Sequence, residues 1–215
     1  MARLIDISPT ISARIAVWPG DTPYGYSANL RIAEGANIDL GEIRGTVHLG
    51  AHADSSSHYA ADGEGVERRS LDAYYGACQV VDVDVSRGER IRPDHLPDGP
   101  FERRLLFRTG TYPDPESFNE DFAAFSPELL EHLADEGVAL VGIDTPSADL
   151  FDDKVLESHQ VLFRRDLAIL EGLVLGHVAP GRYTLIALPL KLEGADASPV
   201  RAALVPLDPD PSSQP

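Results

Sequence analysis

Residues 48–58 read HLGAHADSSSH and place three histidines and an aspartate within eleven residues, in a chain that has seven histidines altogether. His48, Gly50, His52 and Asp54 recur at intervals of two, so an extended chain aims all four at one face. A straight strand would set the His48 and His52 α-carbons about 13 Å apart, at ~3.3 Å per residue, too far for two imidazoles to meet comfortably on one ion. The chain must bend between them, and Gly50 is the residue that permits it. A helix would instead pair His48 with His52 and Asp54 with His58, but Gly50 and the three serines make helix the poorer choice. Imidazole nitrogen and carboxylate oxygen suit zinc or manganese. Without cysteine ligands a closed structural zinc site is disfavoured, and nitrogen–oxygen sites more often keep a position for water. The rival reading is a solvated histidine-rich loop, and spacing alone does not separate the two.

The composition sets the frame for that segment. A chain of 215 residues suits one sizeable domain. We expect it to cover residues 1–207, followed by a flexible tail over 208–215 with the Pro/Asp/Ser content of a disordered end. A hydrophobic fraction of 43% is ordinary for a protein with a real core. The formal charge of −17 argues against nucleic acid and anionic membrane surfaces as partners. The one cysteine, Cys78, sits in the apolar run ACQVVDVDV and reads as a buried, inert thiol. The N-terminus lacks an apolar signal region, and no stretch approaches the roughly 18 apolar residues of a spanning helix. A soluble, cytoplasmic protein is the expectation.

Strands are predicted at 4–8, 78–86, 104–110, 138–144, 183–192 and 200–207, with a glycine-interrupted strand at 38–50. SPELLEHLADEG (126–137) reads as the best helix, with Ser126 as N-cap, Pro127 in the first turn and Gly137 closing the end. A second helix is predicted over 158–170 with Ser158 as its cap. Many strands with two or three helices set after them imply a mixed α/β domain. The lack of regular βαβ alternation argues against a Rossmann or barrel layout.

HLGAHADSSSHY resembles the HxGxHxDxPxH motif of the metal-dependent cyclase-like hydrolases. VWPGDTPY (17–24), GIDTPSADL (142–150), LAILEGLVL (167–175) and LIALPLKLEGADASPVRAAL (185–204) are similar to the bacterial kynurenine formamidases of that family, in order along nearly the whole chain. The resemblance implies a swivelling β/β/α domain, a homodimer and two zinc ions per subunit, with manganese as the other candidate. It implies that His48, His52 and Asp54 hold one ion, that Asp54 reaches the second, that His159 completes the second, and that Glu171 contacts both. It makes His58 the acid/base and places Trp18 along the substrate pocket. One departure is Ser56, which stands where the motif usually has proline, and serines there suggest a more flexible loop.

The residues themselves carry only part of this. His159 and Glu171 bracket the second predicted helix, some 18 Å apart at ~1.5 Å per residue, so local spacing does not join them. His159 alone would pass for a surface histidine at a helix end. Glu171 lies in an apolar run, where a buried carboxylate needs a partner and a metal would supply one. Trp18, the single tryptophan, sits in a Pro/Gly-rich loop and would equally serve to cap the core. Asp144–Ser147 ends a strand and reads equally as a functional loop or a turn. His95, His132 and His177 attract no functional reading.

The resemblance implies hydrolysis of N-formyl-L-kynurenine to L-kynurenine and formate, by a metal-activated water with a histidine passing the proton. No G-x-S-x-G elbow is present, which disfavours a serine nucleophile. Two other readings stay open: a metal-dependent hydrolase of a small or cyclic amide such as isatin, and a metal-binding protein without turnover.

Overall fold

Apolar residues in the central strands alternate between two packed layers, and this alternation organises the chain. The computed structural model describes residues 4–207; the expected tail at 208–215 lies outside the described residues. In chain order the strands are β1 (Ile5–Asp6), β2 (Gly25–Leu30), β3 (Leu40–Arg44), β4 (His52–Asp54), β5 (Tyr75–Asp82), β6 (Arg90–Ile91), β7 (Arg104–Arg108) and β8 (Ala124–Phe125). They continue with β9 (Leu140–Ile143), β10 (Ala168–Glu171), β11 (Gly181–Ile186), β12 (Ala197–Pro199) and β13 (Ala203–Pro206). Two α-helices, α1 (Pro127–Asp135) and α2 (Glu157–Arg165), lie between β8 and β10.

The main sheet runs β1-β13-β11-β5-β7-β9-β10-β4-β12. Its centre, β5 through β10, is parallel, and the flanking pairs are antiparallel. The first and last strands of the described residues meet in it, since Ile5 pairs with Leu204. Leu105, Phe107, Val141, Ile143 and Ile169 face the helices, whose Leu129, Leu130, Leu133, Val161 and Leu162 cover them. Leu106, Leu140, Ala168 and Leu170 face the opposite layer with Cys78 and Leu185. Covered on both faces, these strands read as continuous apolar runs rather than alternating ones. Burial pushes the Cys78 thiol up to about 12, which makes it the inert group its context suggested.

Helix α1 starts as its sequence dictates: the Ser126 hydroxyl accepts from the Leu129 amide, and Gly137 follows at φ +82°. The second helix differs from expectation. It ends at Arg165, where Asp166 takes a left-handed conformation, and residues 168–171 form strand β10 instead. The residue preceding α2 is Leu156, and the Ser158 hydroxyl donates to the Phe125 carbonyl rather than capping. With β10 recognised, the main sheet does contain one alternating run, β7-α1-β9-α2-β10, broken in the chain only by the short β8, which pairs with β6 outside that sheet. An apolar stretch following a helix without Gly or Pro could not announce that reversal. The interrupted strand at 38–50 divides into β3, which pairs only with β2, and an irregular approach to β4.

Candidate metal centre

Strand β4 carries His52 and Asp54 on one face, two residues apart. Across the ladder Glu171 of β10 stands opposite His52, and on the other side Ala197 of β12 stands opposite Asp54. Directly paired positions lie about 5 Å apart, so the sheet itself brings the Glu171 carboxylate to His52. His159 arrives from α2. About 9 Å of helix from His159 to Arg165 is undone by about 13 Å of strand from Leu167 to Glu171, so the two ends return to one place. This reversal is what their sequence separation concealed. Gly50, at φ +63°, bends the chain ahead of β4, and the rings of His48 and His52 end 5.1 Å apart.

Each of three imidazoles is anchored outward through one nitrogen. His52 Nδ1 donates to the Gly50 carbonyl at 2.9 Å, His159 Nδ1 to Asp149 at 2.8 Å, and His48 Nε2 to Asp196 at 3.0 Å. The other nitrogens face two buried carboxylates. His48 Nδ1 is 3.0 Å and His52 Nε2 3.4 Å from Asp54 Oδ1, while His159 Nε2 is 3.7 Å from Asp54 Oδ2. Glu171 Oε2 lies 3.4 Å from His52 Nε2, and its Oε1 lies 3.5 Å from His159 Nε2. His58 sits beside this group, its ring 4.1 Å from that of His48 and its Nδ1 3.1 Å from Asp196.

The cluster is charged and buried. His52, Asp54, His159 and Glu171 are all 3% exposed or less. Burial resists charge on His52, yet the carboxylates of Asp54 and Glu171 outweigh it and push its pKa up to about 10. His159 is likewise raised, against burial, by Asp149, Asp54 and Glu171. The histidines in turn hold Asp54 well below the usual carboxylate range despite its burial. The site thus favours positive charge between its carboxylates.

A metal ion fits this arrangement. His52 Nε2 and both Asp54 carboxylate oxygens are buried with no hydrogen-bond partner, though ligand-type atoms lie within 4 Å of them. Buried polar atoms facing one another without hydrogen bonds are costly, and a shared cation satisfies them. Two groups have ligand atoms within 4.8 Å of one another: His48, Asp54 and His58, and His52, Asp54 and Glu171. Asp54 belongs to both. The outward anchors are the kind that orient metal-binding imidazoles.

A cavity of about 730 Å³ opens over the cluster, lined by His48, His52, His58, His159 and Glu171 on one side. Trp18, Tyr112 and Phe118 form its aromatic wall. The half-buried Trp18 packs against Phe151 at 5.0 Å and meets Phe118 edge-on at 5.5 Å. All seven residues singled out from the sequence therefore lie in or against one cavity. Asp144 accepts from the Thr109 and Gly110 amides and fixes that loop, while the Ala148 amide donates to Glu171. His177 bonds the Asp6 carbonyl, and His95 accepts from the Arg92 amide.

Two partners escaped sequence reasoning. Asp149 is wholly buried; it accepts from the Ser158 and His159 amides and pairs with Arg90. Asp196 links His48 to His58. No local pattern connects residue 149 to 159 or 196 to 58, so nothing in the sequence marked them. The serines also differ from expectation. Ser55 donates to the Glu64 carbonyl and Ser56 accepts from the Glu64 amide, so the turn at 55–58 is tied down rather than loosened.

Comparison with known proteins shows what the whole chain is similar to. The putative cyclase family model matches residues 5–150. Kynurenine formamidase from Bordetella petrii is 44% identical over 95% of this chain and 98% of its own. A solved structure described as a potential metal-dependent hydrolase with cyclase activity superposes with a TM-score of 0.80 at 27% identity, over 97% of this chain and 100% of that one. Isatin hydrolase A from Ralstonia solanacearum shares the fold, with a TM-score of 0.79 at 21% identity over 95% and 92% of the two chains.

Proposed function

This chain belongs to the cyclase family, and from that premise we propose that it hydrolyses N-formyl-L-kynurenine to L-kynurenine and formate. The observation that carries the reading is the buried quartet His52, Asp54, His159 and Glu171 beneath an aromatic-walled cavity. The 44% identity to a kynurenine formamidase over almost the full chain selects the substrate.

His48, His52 and Asp54 would hold one cation, and Asp54, His159 and Glu171 a second, with Glu171 touching both. Two zinc ions per subunit are proposed, manganese being the alternative for the same donors. When bound, such ions make hydroxide available near neutral pH and polarise a carbonyl. The remaining work belongs to side chains. Trp18 packs the aryl ring and the cavity wall excludes bulk water. His58 lines the cavity, takes a proton from the attacking water and returns it to the aniline nitrogen as the C–N bond breaks, since an anilide leaves poorly until protonated. The products balance as the free amine, formate and one proton released to solvent.

The chain is read as one hydrolase domain that pairs as a homodimer in the cytoplasm. Supporting the dimer, the β2–β3 ribbon leaves the cross-strand pair Tyr26 and Ile43 60% and 75% exposed. Two-stranded ribbons seldom stand alone, and a second copy would cover this apolar face. No helix among the described residues is long and apolar enough to cross a membrane. The lone, buried cysteine suits a reducing compartment.

The test is zinc-reconstituted protein assayed on N-formyl-L-kynurenine and on isatin in parallel, with zinc content measured for wild type and His52→Ala. Faster turnover of the formamide, and loss of both zinc and activity in the variant, are expected. Preference for isatin would move the substrate to cyclic amides. Zinc bound without turnover would leave a metal-binding protein.

A further inference from the structure

We propose that Asp196 is a positioning residue that sets the ring of His58 for proton transfer, an inference that rests on the reaction proposed above. A single oxygen, Asp196 Oδ2, lies 3.1 Å from His58 Nδ1 and 3.0 Å from His48 Nε2. An ionised carboxylate only accepts hydrogen bonds, so both imidazoles donate to it. That choice fixes His58 as the Nδ1–H form and leaves its Nε2 lone pair free. The ring bearing that lone pair lines the cavity.

Asp196 is held by its backbone rather than by burial. Its carbonyl accepts from the Ser55 amide at 2.8 Å, and the next residue, Ala197, pairs with Asp54 across β12 and β4. The carboxylate is therefore held at the start of β12, directly beside the strand that carries His52 and Asp54. The His58 and Asp196 side chains are 34% and 44% exposed, so without this bond solvent would leave the His58 ring free to rotate and to exchange tautomers. A second tie, to His48, limits the freedom of the carboxylate itself. One residue thus couples the imidazole beside the candidate ions to the imidazole that moves the proton.

A simpler role is that Asp196 only buttresses His48. The two roles separate in Asp196→Ala. With zinc held saturating, so that any weakening of the His48 ligand is offset, positioning predicts that KM stays within about twofold while kcat per bound zinc falls roughly 10- to 100-fold, the usual cost of losing an orienting partner. The loss should deepen for formanilides with electron-rich leaving amines, which depend most on the proton. In Asp196→Asn one amide oxygen can still accept from both rings, so this conservative change should restore much of kcat. Nitrogen-15 spectra of zinc-loaded protein supply a readout independent of turnover. The His58 ring should carry its proton on Nδ1 in wild type and shift toward Nε2 in Asp196→Ala. Unchanged kcat, an unchanged His58 tautomer, or a kcat loss fully explained by lost zinc would each overturn the positioning role. Wild-type protein that binds zinc and spares every aryl formamide would instead overturn the reaction, and the positioning role with it.

Discussion

The backbones of Gly50 and Gly172 meet so closely that a β-carbon on Gly172 would collide with the Gly50 carbonyl oxygen. Both residues also hold left-handed φ angles, +63° and +64°. Gly50 precedes His52 and Gly172 follows Glu171, so this contact joins the two segments that meet at the site. The same Gly50 carbonyl anchors His52 Nδ1.

Gly172→Ala should therefore damage the site as well as the fold. Backbone strain at such a position costs about 1–3 kcal/mol, and relieving the collision must push Glu171 away from His52. Lower thermal stability together with lost zinc is expected. Gly88→Ala is the control, because Gly88 has φ +74° with open space around it and stands outside the site. If Gly172→Ala lost no more zinc than Gly88→Ala, the contact would have no bearing on the metal centre.

Legibility followed the range of the interactions. The period-two spacing of His48, His52 and Asp54, the bend at Gly50 and the Ser126-capped helix all rest on neighbours a few residues away, and each is present in the structure. Strand β10 was hidden because an apolar run after a helix has no signal of its own. Its loss concealed why Glu171 and His159 converge, and only the family resemblance joined them. Asp149 and Asp196 act across 10 and 138 residues, through hydrogen bonds that one sequence does not encode as a pattern.

Trp18→Ala tests the aromatic wall. An aromatic contact is worth about 0.5–1.5 kcal/mol, so kcat/KM for the aryl formamide should fall roughly two- to tenfold while zinc content stays unchanged. Part of any stability loss will come from the Phe118 and Phe151 contacts, which makes Trp18→Phe a useful second variant. Unaltered kcat/KM in Trp18→Ala would leave that residue a purely structural cap.

Metal-free protein should respond to pH in the opposite sense to the loaded form. His52, with its ordinary value of 6.5 raised to about 10, lends stability that is complete below 6.5 and lost as pH rises through about 10. His159 is raised in the same direction. Asp54 and Glu171, lowered from 3.8 and 4.5, lend stability above those values that disappears as pH falls. Stability of the chelated protein should thus peak in mildly acid solution and decline toward alkaline pH. Ion binding requires deprotonated imidazoles and should strengthen as pH rises. Thermal unfolding with zinc and with chelator, from about pH 5 to about pH 9, should show a gap that widens upward. Parallel curves would contradict the assignment.

The role of His58 is the sharpest division between an acid/base and a fourth ligand, because its nitrogens group with those of His48 and Asp54 at ligand spacing. A proton-transfer group contributes typically 10²–10⁴-fold in rate without holding a metal. His58→Ala should then keep its zinc and its melting temperature while kcat falls by roughly that factor. The deficit should shrink for formanilides with electron-poor leaving amines, which depart with less help from a proton. Direct ligation predicts lost zinc and a uniform deficit across the leaving-group series. The exposure of His58, against the near-complete burial of His52 and His159, favours the first outcome. Zinc content and a leaving-group series measured on this one variant decide between them, and a zinc-depleted His58→Ala protein would make His58 a ligand.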